Sequence, residues 1–109
     1  MKVLTLKKNY DFQRVYRKGK SYVTPCFVLY IRKNNKHANR LGFTVSKKIG
    51  NAVKRNRARR RLKEVFKKTF NPELRGYDII VVARSRARTE KFSVMTQMMA
   101  DLFKQLDQK

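Results

Sequence analysis

The segment from Lys47 to Lys68 carries an extreme density of positive charge, which restricts how the chain can fold. Eleven of its twenty-two residues are Lys or Arg, and Glu64 is its only acid. On a helix, like charges three and four residues apart repel each other by about 0.2–0.5 kcal/mol per pair. Such a helix needs an apolar stripe that packs on the rest of the protein and a polyanion that neutralises the opposite face.

The positive charge is concentrated in the first part of the chain. Residues 1–63 contain twenty Lys or Arg and one acid, whereas residues 64–109 contain nine and six, for a net charge of +22. Self-repulsion of this size destabilises a compact monomer unless a partner supplies counter-charge. We therefore expect the N-terminal two-thirds to build a surface that binds a polyanion.

The remaining composition indicates one cytoplasmic domain. With 41% hydrophobic residues, residues 1–109 can form a single domain with one modest core. Cys26 is the only cysteine, which excludes an internal disulfide and suits a reducing compartment. No apolar run reaches the length of a membrane span, and the first residues lack the apolar core of a signal peptide. We expect a soluble cytoplasmic protein that does not bind membranes.

Apolar periodicity predicts an α/β fold. Phe12, Val15 and Tyr16 fall at i, i+3 and i+4, on one face of a helix. Residues 77–83 are apolar almost throughout, as in a strand covered on both faces. The predicted elements are a flexible lead-in at 1–8, a helix from an Asn9 N-cap to Gly19, strands at 22–23, 26–32 and 41–47, a helix over 52–70 with Asn51 as its N-cap, a strand at 77–83 and a last helix capped by Thr89 or Ser93.

Two connections follow from this order. Residues 26–32 and 41–47 are expected to form a hairpin across the polar loop at 33–39, with one face in the core and the other open. The strand at 41–47, the basic helix and the strand at 77–83 are expected to form a β-α-β crossover. The apolar stripe of that helix, which should be buried, consists of Ala58, Leu62, Val65, Phe66 and Phe70.

Side chains that could perform catalysis are scarce. His37 is the only histidine, and its polar loop indicates a solvated position. No pair of acids lies at a spacing that suits acid–base chemistry, and no phosphate-binding loop or dinucleotide motif occurs. We expect that the protein alone is not catalytic.

The basic helix favours RNA among the available polyanions. A charged stripe on a helix is usually a face exposed to solvent. An excess of eleven cations over one acid is far larger than such a face ordinarily carries, so we favour a binding surface. A membrane surface is disfavoured because the apolar side of the helix is needed for the core. Duplex DNA is disfavoured because no helix-turn-helix, zinc finger or zipper motif occurs. Phe12 and Tyr16 could either fill the core or stack on nucleobases, and the pattern leaves both open.

Ser46–Lys63 closely resembles the signature of the bacterial ribonuclease P protein subunit, with its Arg-Asn-Arg core at Arg55-Asn56-Arg57. The segments 9–16, 27–30 and 78–84 resemble the same family, in the same order. The resemblance implies a single-domain α-β-β-β-α-β-α sandwich with a mixed four-stranded sheet. It also implies a left-handed β-α-β crossover, against the usual right-handed rule.

The resemblance also implies a function and assigns roles to residues. Such proteins join a catalytic RNA in the endonuclease that removes the 5′ leader of precursor tRNA, and the RNA performs the Mg²⁺-dependent chemistry. The protein is expected to bind no cofactor tightly and to be monomeric without RNA. The residues implied to bind the catalytic RNA are Lys47, Lys48, Lys54, Arg55, Asn56, Arg57, Arg59, Arg60, Arg61 and Lys63. The residues implied to line a cleft for the single-stranded leader are Phe12, Tyr16, Tyr30, Arg32, Thr44 and Ser46. Asn56 is further implied as an outer-sphere ligand of a metal ion.

One position departs from the family pattern. Arg61 stands where family members often carry an apolar or small residue, so the direction of its side chain is open.

Two other functions remain as alternatives. A ribosomal or ribosome-assembly protein would have a similar composition. A stand-alone nuclease is a third hypothesis, which the scarcity of acidic residues disfavours.

Overall fold

The computed structural model describes residues 3–36, 38–70 and 73–107 of the chain. His37, predicted to be a solvated loop residue, lies outside these ranges. The elements are β1 (Val3–Thr5), α1 (Asn9–Lys18), β2 (Lys20–Val23), β3 (Phe27–Lys33), β4 (Asn39–Val45), α2 (Ala52–Thr69), β5 (Tyr77–Ala83) and α3 (Phe92–Asp107), with short 3-10 helices at Lys47–Ile49 and Ser85–Arg88. The predicted α-β-β-β-α-β-α order is confirmed, and one short strand precedes it.

The sheet has the strand order β1-β4-β5-β3-β2. Strands β4 and β5 are parallel neighbours, so the predicted crossover through α2 is confirmed. The predicted hairpin between residues 26–32 and 41–47 is wrong, because β5 lies between the corresponding strands β3 and β4 and pairs antiparallel with β3. A central position suits β5, since both of its apolar faces are then covered and both of its edges are paired. The left-handedness of the crossover stays a prediction from the resemblance.

Residues 3–6 are more ordered than the predicted flexible lead-in at 1–8, of which residues 1–2 lie outside the described ranges. Strand β1 pairs parallel with residues 39–41 of β4, and the Leu6 amide donates to the Leu41 carbonyl at 3.0 Å. The Leu6 side chain is buried beneath α1. Burial of this one apolar residue, together with the backbone pairing, holds a segment whose lysines would otherwise favour solvent. The four-stranded mixed sheet β2–β5 is thus extended at one edge.

The sheet is covered on both faces, which makes three layers. Helices α2 and α3 cover one face and enclose the larger core, which includes Phe27, Leu29 and Val81. Helix α1 covers part of the other face, where Val15 packs on Leu6 and Ile80. The predicted stripe of α2 is confirmed, with Phe70 half-buried and the other four residues buried: Ala58, Leu62, Val65 and Phe66.

The helix caps were predicted with mixed success. The Asn51 side chain accepts a hydrogen bond from the Lys54 amide at 3.0 Å and caps α2, as predicted. Helix α1 instead begins one residue earlier than predicted. Lys8 occupies its N-cap position, where its carbonyl accepts from the Asp11 amide, and Asn9 lies inside the helix.

Across the described ranges, no helix is long and apolar enough to cross a membrane.

Candidate nucleic-acid interface

The turn after β4 sets the direction of the basic helix. The Ser46 hydroxyl accepts from the Lys48 amide at 3.1 Å and starts a 3-10 turn. Gly50 then adopts a φ of 138°, a conformation that favours glycine, and the Asn51 cap begins α2. These local bonds place the lysines of the turn and the first turns of α2 on one continuous solvent-facing surface.

We define the basic helix surface as the predicted set of Lys47, Lys48, Lys54, Arg55, Asn56, Arg57, Arg59, Arg60, Arg61 and Lys63. Eight of its ten residues are exposed, and Arg55 and Arg61 are partly buried. Among the described residues, α2 forms one ion pair, between Lys67 and Glu64 at 3.6 Å. The cations of the basic helix surface therefore repel one another and favour a bound polyanion.

Arg61 differs from the other cations of this surface. Its guanidinium donates to the Ala87 carbonyl at 2.7 Å and to the Glu90 carbonyl. These bonds tie α2 to the segment between β5 and α3. The open question about its direction is thereby answered: Arg61 points towards residues 87–90, and much of its donor capacity is used within the protein.

A concave region next to Arg61 extends the basic helix surface. It has a volume of about 370 Å³ and is lined by Lys54, Arg57, Arg61, Arg88 and Thr89. Arg88 ends the short 3-10 helix Ser85–Arg88 and is not among the residues that the resemblance implied for RNA binding. Only the three-dimensional fold brings it beside Lys54 and Arg57, because the two segments are more than thirty residues apart.

A cleft lies on the opposite face of the sheet, beside α1. The Tyr16 and Tyr30 rings meet edge to face with centroids 4.8 Å apart, and Phe12 lies 6.4 Å from Tyr16. All three rings are half-buried. A Cβ on Gly42 would stand 2.7 Å from Phe12 Cζ, so the absence of a side chain there lets this ring lie on the sheet. The rings contribute to the core under α1 and also keep accessible surface, so both of the roles left open by the sequence are compatible with their positions.

Beyond α1, the sheet carries a mostly apolar row that is open to solvent. Thr44, Val82, Val28 and Val23 are successive partners across four strands. The first three are half-buried, and Val23 is 69% exposed. Ser46 is exposed at the end of β4, where the row approaches the basic turn. The structure thus brings together five of the six residues predicted for the leader.

Arg32, the sixth, lies in a row of charged side chains on the far side of Tyr30. Asp78 of β5 is paired with Arg32 on one side and Arg40 on the other. Only 1% of Asp78 is exposed, and its carboxylate accepts from the Arg40 guanidinium at 2.8 and 2.6 Å and from Asn34 Nδ2 at 2.8 Å. Burial by itself raises the pKa of Asp78, but the hydrogen bonds from Arg40 and Asn34 and the nearby positive charges outweigh it and lower this pKa.

The same network attaches α1 to the sheet. Arg40 also lies 3.4 Å from the carboxylate of Asp11, in the first turn of α1. Hydrogen bonding to Asp78 raises the pKa of Arg40. Asp78 and Arg40 thus fix the position of α1 and of the rings it contributes to the cleft. No local pattern indicates this pair, because its members are 38 residues apart and on different strands.

The surroundings of Asn56 do not favour a metal ion held by the protein alone. Its exposed side chain is flanked by Arg55 and Arg57, and Arg60 lies one turn further on. Within the described residues, no group of three or more His, Cys, Asp or Glu side chains could hold a metal ion. A cation beside Asn56 would therefore need phosphate groups of a bound RNA as counter-charge, and the contact stays a prediction.

The fold and these surfaces define a small, strongly basic α/β protein with a cationic helix on one side and an aromatic cleft on the other. The ribonuclease P family model matches residues 1–107. The chain belongs to the ribonuclease P protein family.

Individual relatives agree over most of the chain. The ribonuclease P protein component of Natranaerobius thermophilus is 49% identical over 85 residues, which cover 78% of this chain and 74% of that protein. That of Clostridium botulinum (strain Loch Maree) is 39% identical and covers 95% of both chains. The solved RNase P protein of Staphylococcus aureus superposes with a TM-score of 0.78 at 39% identity over 94% of both chains. That of Thermotoga maritima has a TM-score of 0.78 at 30% identity over 93% of this chain and 96% of that one.

Proposed function

We propose that this protein acts in the cytoplasm as the RNA-binding subunit of ribonuclease P and assists removal of the 5′ leader of precursor tRNA. The catalytic RNA supplies the chemistry with its own Mg²⁺ ions. The protein supplies binding through two separate surfaces and is monomeric without RNA. Membership of the family supports this proposal, since the relatives are ribonuclease P protein components.

The observation that carries the proposal is the placement of the two surfaces on either side of one strand end. The basic helix surface begins in the turn after β4, and the open row of the sheet ends at Thr44 of the same strand, next to Ser46 in that turn. An RNA bound to the helix and a single strand in the cleft would therefore meet at this turn. Such a meeting suits a protein that positions a leader beside a catalytic RNA.

The chemistry of each surface matches its proposed RNA. One Arg guanidinium group can donate to two oxygens of a phosphate at once. The exposed Arg57 and Arg60 present two such groups on successive turns of one helix face. In the cleft, Tyr16 and Tyr30 offer aromatic surface for unpaired bases, which stack without sequence preference. A leader that differs between tRNA genes requires such tolerance.

A comparison of leader-bearing and leaderless substrates tests the proposal. Equilibrium binding of precursor tRNA and mature tRNA is measured with the catalytic RNA alone and with the reconstituted complex. We expect the protein to increase affinity for the precursor and to leave affinity for mature tRNA nearly unchanged. An equal increase for both would indicate a general RNA-binding protein, such as a ribosome-assembly protein, and would contradict leader recognition.

RNA cleavage by the protein alone is the matching control. One Staphylococcus aureus RNase P protein structure is that of a mutant with defective mRNA degradation activity. If this protein degraded RNA in the absence of the catalytic RNA, the proposed division of labour would be wrong for this chain. We expect no such cleavage.

A further inference from the structure

A pocket at the β1 edge of the sheet lies between the cleft and the basic helix surface. It has a volume of about 480 Å³, within the range of about 300–1,000 Å³ typical of small-molecule sites. Strand β1 pairs with β4 only as far as Leu41, so among the described strands none covers this edge from Gly42 onwards. The pocket is the space left at this edge, and we call it the edge pocket.

The walls of the edge pocket combine aromatic rings with cations. Phe43 and Phe66 line it and meet edge to face at 6.3 Å. Arg59, Lys63 and Lys67 of α2 line it from the helix side. An apolar wall with several cations beside it suits a ligand that is flat and apolar at one end and anionic at the other.

The ring of Phe43 is available to such a ligand. It is half-buried, and the Lys63 ammonium lies 5.8 Å from its centroid, at cation–π distance. A lysine side chain is long and flexible, so it can leave the ring face and keep its ammonium near an entering phosphate. Lys67 is 72% exposed, and its one ion pair among the described residues is with the exposed Glu64, so its charge is also available.

We propose that the edge pocket binds one unstacked nucleotide of RNA, with the base on Phe43 and the phosphate between Arg59, Lys63 and Lys67. The identity of the ligand as RNA rests on the proposed function. The position of the pocket supports it, because Phe12 of the cleft also lines the pocket. Either the leader or the catalytic RNA could supply the nucleotide as it passes from one surface to the other.

Binding of a free nucleotide tests the pocket without the catalytic RNA. Isotope-labelled protein is titrated with AMP and, separately, with ribose 5-phosphate and inorganic phosphate, and amide signals are followed by NMR. We expect AMP to shift the signals of Phe43, Lys63 and Lys67 at several-fold lower concentration than either base-free anion. Equal affinities for all three would show a phosphate site only and would overturn the proposal, as would shifts confined to Tyr16 and Tyr30.

Variants separate stacking from charge. Phe43→Leu keeps an apolar side chain in the core and should weaken AMP binding about five-fold, the lower end for loss of a base–aromatic stack. Lys67→Ala replaces an exposed side chain, so the fold should be retained, and the variant should bind AMP and phosphate more weakly to the same degree. Lys68→Ala is the matched control, because Lys68 lies over Phe92 at 5.1 Å, outside the pocket, and should bind AMP as the wild type does. Unchanged AMP affinity in both Phe43→Leu and Lys67→Ala would refute the proposal.

The reconstituted complex identifies the source of the nucleotide. If Phe43→Leu weakens binding of the catalytic RNA, that RNA supplies it; if it weakens binding of precursor tRNA but not of mature tRNA, the leader does. If Phe43→Leu weakens binding of neither the catalytic RNA nor precursor tRNA, the edge pocket has no role in the complex and this part of the proposal is wrong. If AMP binds at Phe43 but the wild-type protein does not promote leader removal, the proposed function fails and the pocket stands. If leader removal is promoted and AMP does not bind at Phe43, the proposed function stands and the proposed nucleotide site is wrong.

Discussion

Replacing Arg57 and Arg60 by Ala should reduce the salt dependence of binding to the catalytic RNA. Both side chains are exposed, and they lie three residues apart on α2, about 4.5 Å along its axis. Neither forms an ion pair among the described residues. Each can therefore contact its own phosphate group, and each contact releases counterions when it forms.

The magnitude follows from the number of contacts removed. Each phosphate contact contributes about 0.7 to the slope of log affinity against log salt on single-stranded nucleic acid and about 0.9 on duplex. The double variant should therefore lose about 1.4–1.8 from this slope. Between 50 and 200 mM salt, the fall in affinity should be roughly 7- to 12-fold smaller than for the wild type.

The assay is filter binding or fluorescence anisotropy with the catalytic RNA at four or more salt concentrations. Lys33→Ala with Lys36→Ala is the matched control, because it removes the same charge from exposed positions at the opposite end of β4 from the basic turn. We expect the control to keep the wild-type slope. Equal reductions in both double variants would show that net charge, rather than contacts at α2, determines binding, and the reasoning would be wrong.

Three further predictions concern the cleft and the network that positions it. Tyr16→Ala should weaken binding of precursor tRNA by the complex about 5- to 150-fold and spare mature tRNA, because a base loses its stacking partner; equal losses would indicate a core role. Gly42→Ala should displace Phe12 and destabilise the protein by about 1–3 kcal/mol in thermal unfolding, and unchanged stability would contradict the close approach. Asp78→Asn should cost about 3–5 kcal/mol at neutral pH, because Arg40 loses its buried partner. Since the folded-state pKa of Asp78 is lowered, its stabilisation is present above about pH 4 and lost as the pH falls further, so the variant should show a flatter acid dependence in urea unfolding.

Local patterns in the sequence were sufficient for the helices and for the order of the elements. The stripe of α2 follows from 3.6-residue periodicity, and Asn51 caps the helix through a bond to a residue three positions on. The continuous apolar run at 77–83 indicated a strand covered on both faces, which is the central β5. The interactions within α2 and β5 were thus predictable, whereas the N-cap of α1 is Lys8 and not the predicted Asn9.

Pairing between distant segments was not predictable in the same way. Nothing in the alternation of β3 and β4 shows that β5 inserts between them, and β1 is too short at three residues to show an alternation at all. The Arg40–Asp78 pair and the bonds from Arg61 to residues 87–90 join positions more than twenty residues apart. Their role depends on burial, which the identity of a charged residue does not reveal.

The most direct test of the account is cleavage of a precursor tRNA at physiological magnesium by the catalytic RNA with and without this protein. We expect cleavage at the leader junction to occur only, or far faster, when the protein is present, and expect no cleavage by the protein alone. If the protein binds the catalytic RNA but leaves the rate of leader removal unchanged, the central claim is wrong and the protein is a general RNA-binding protein.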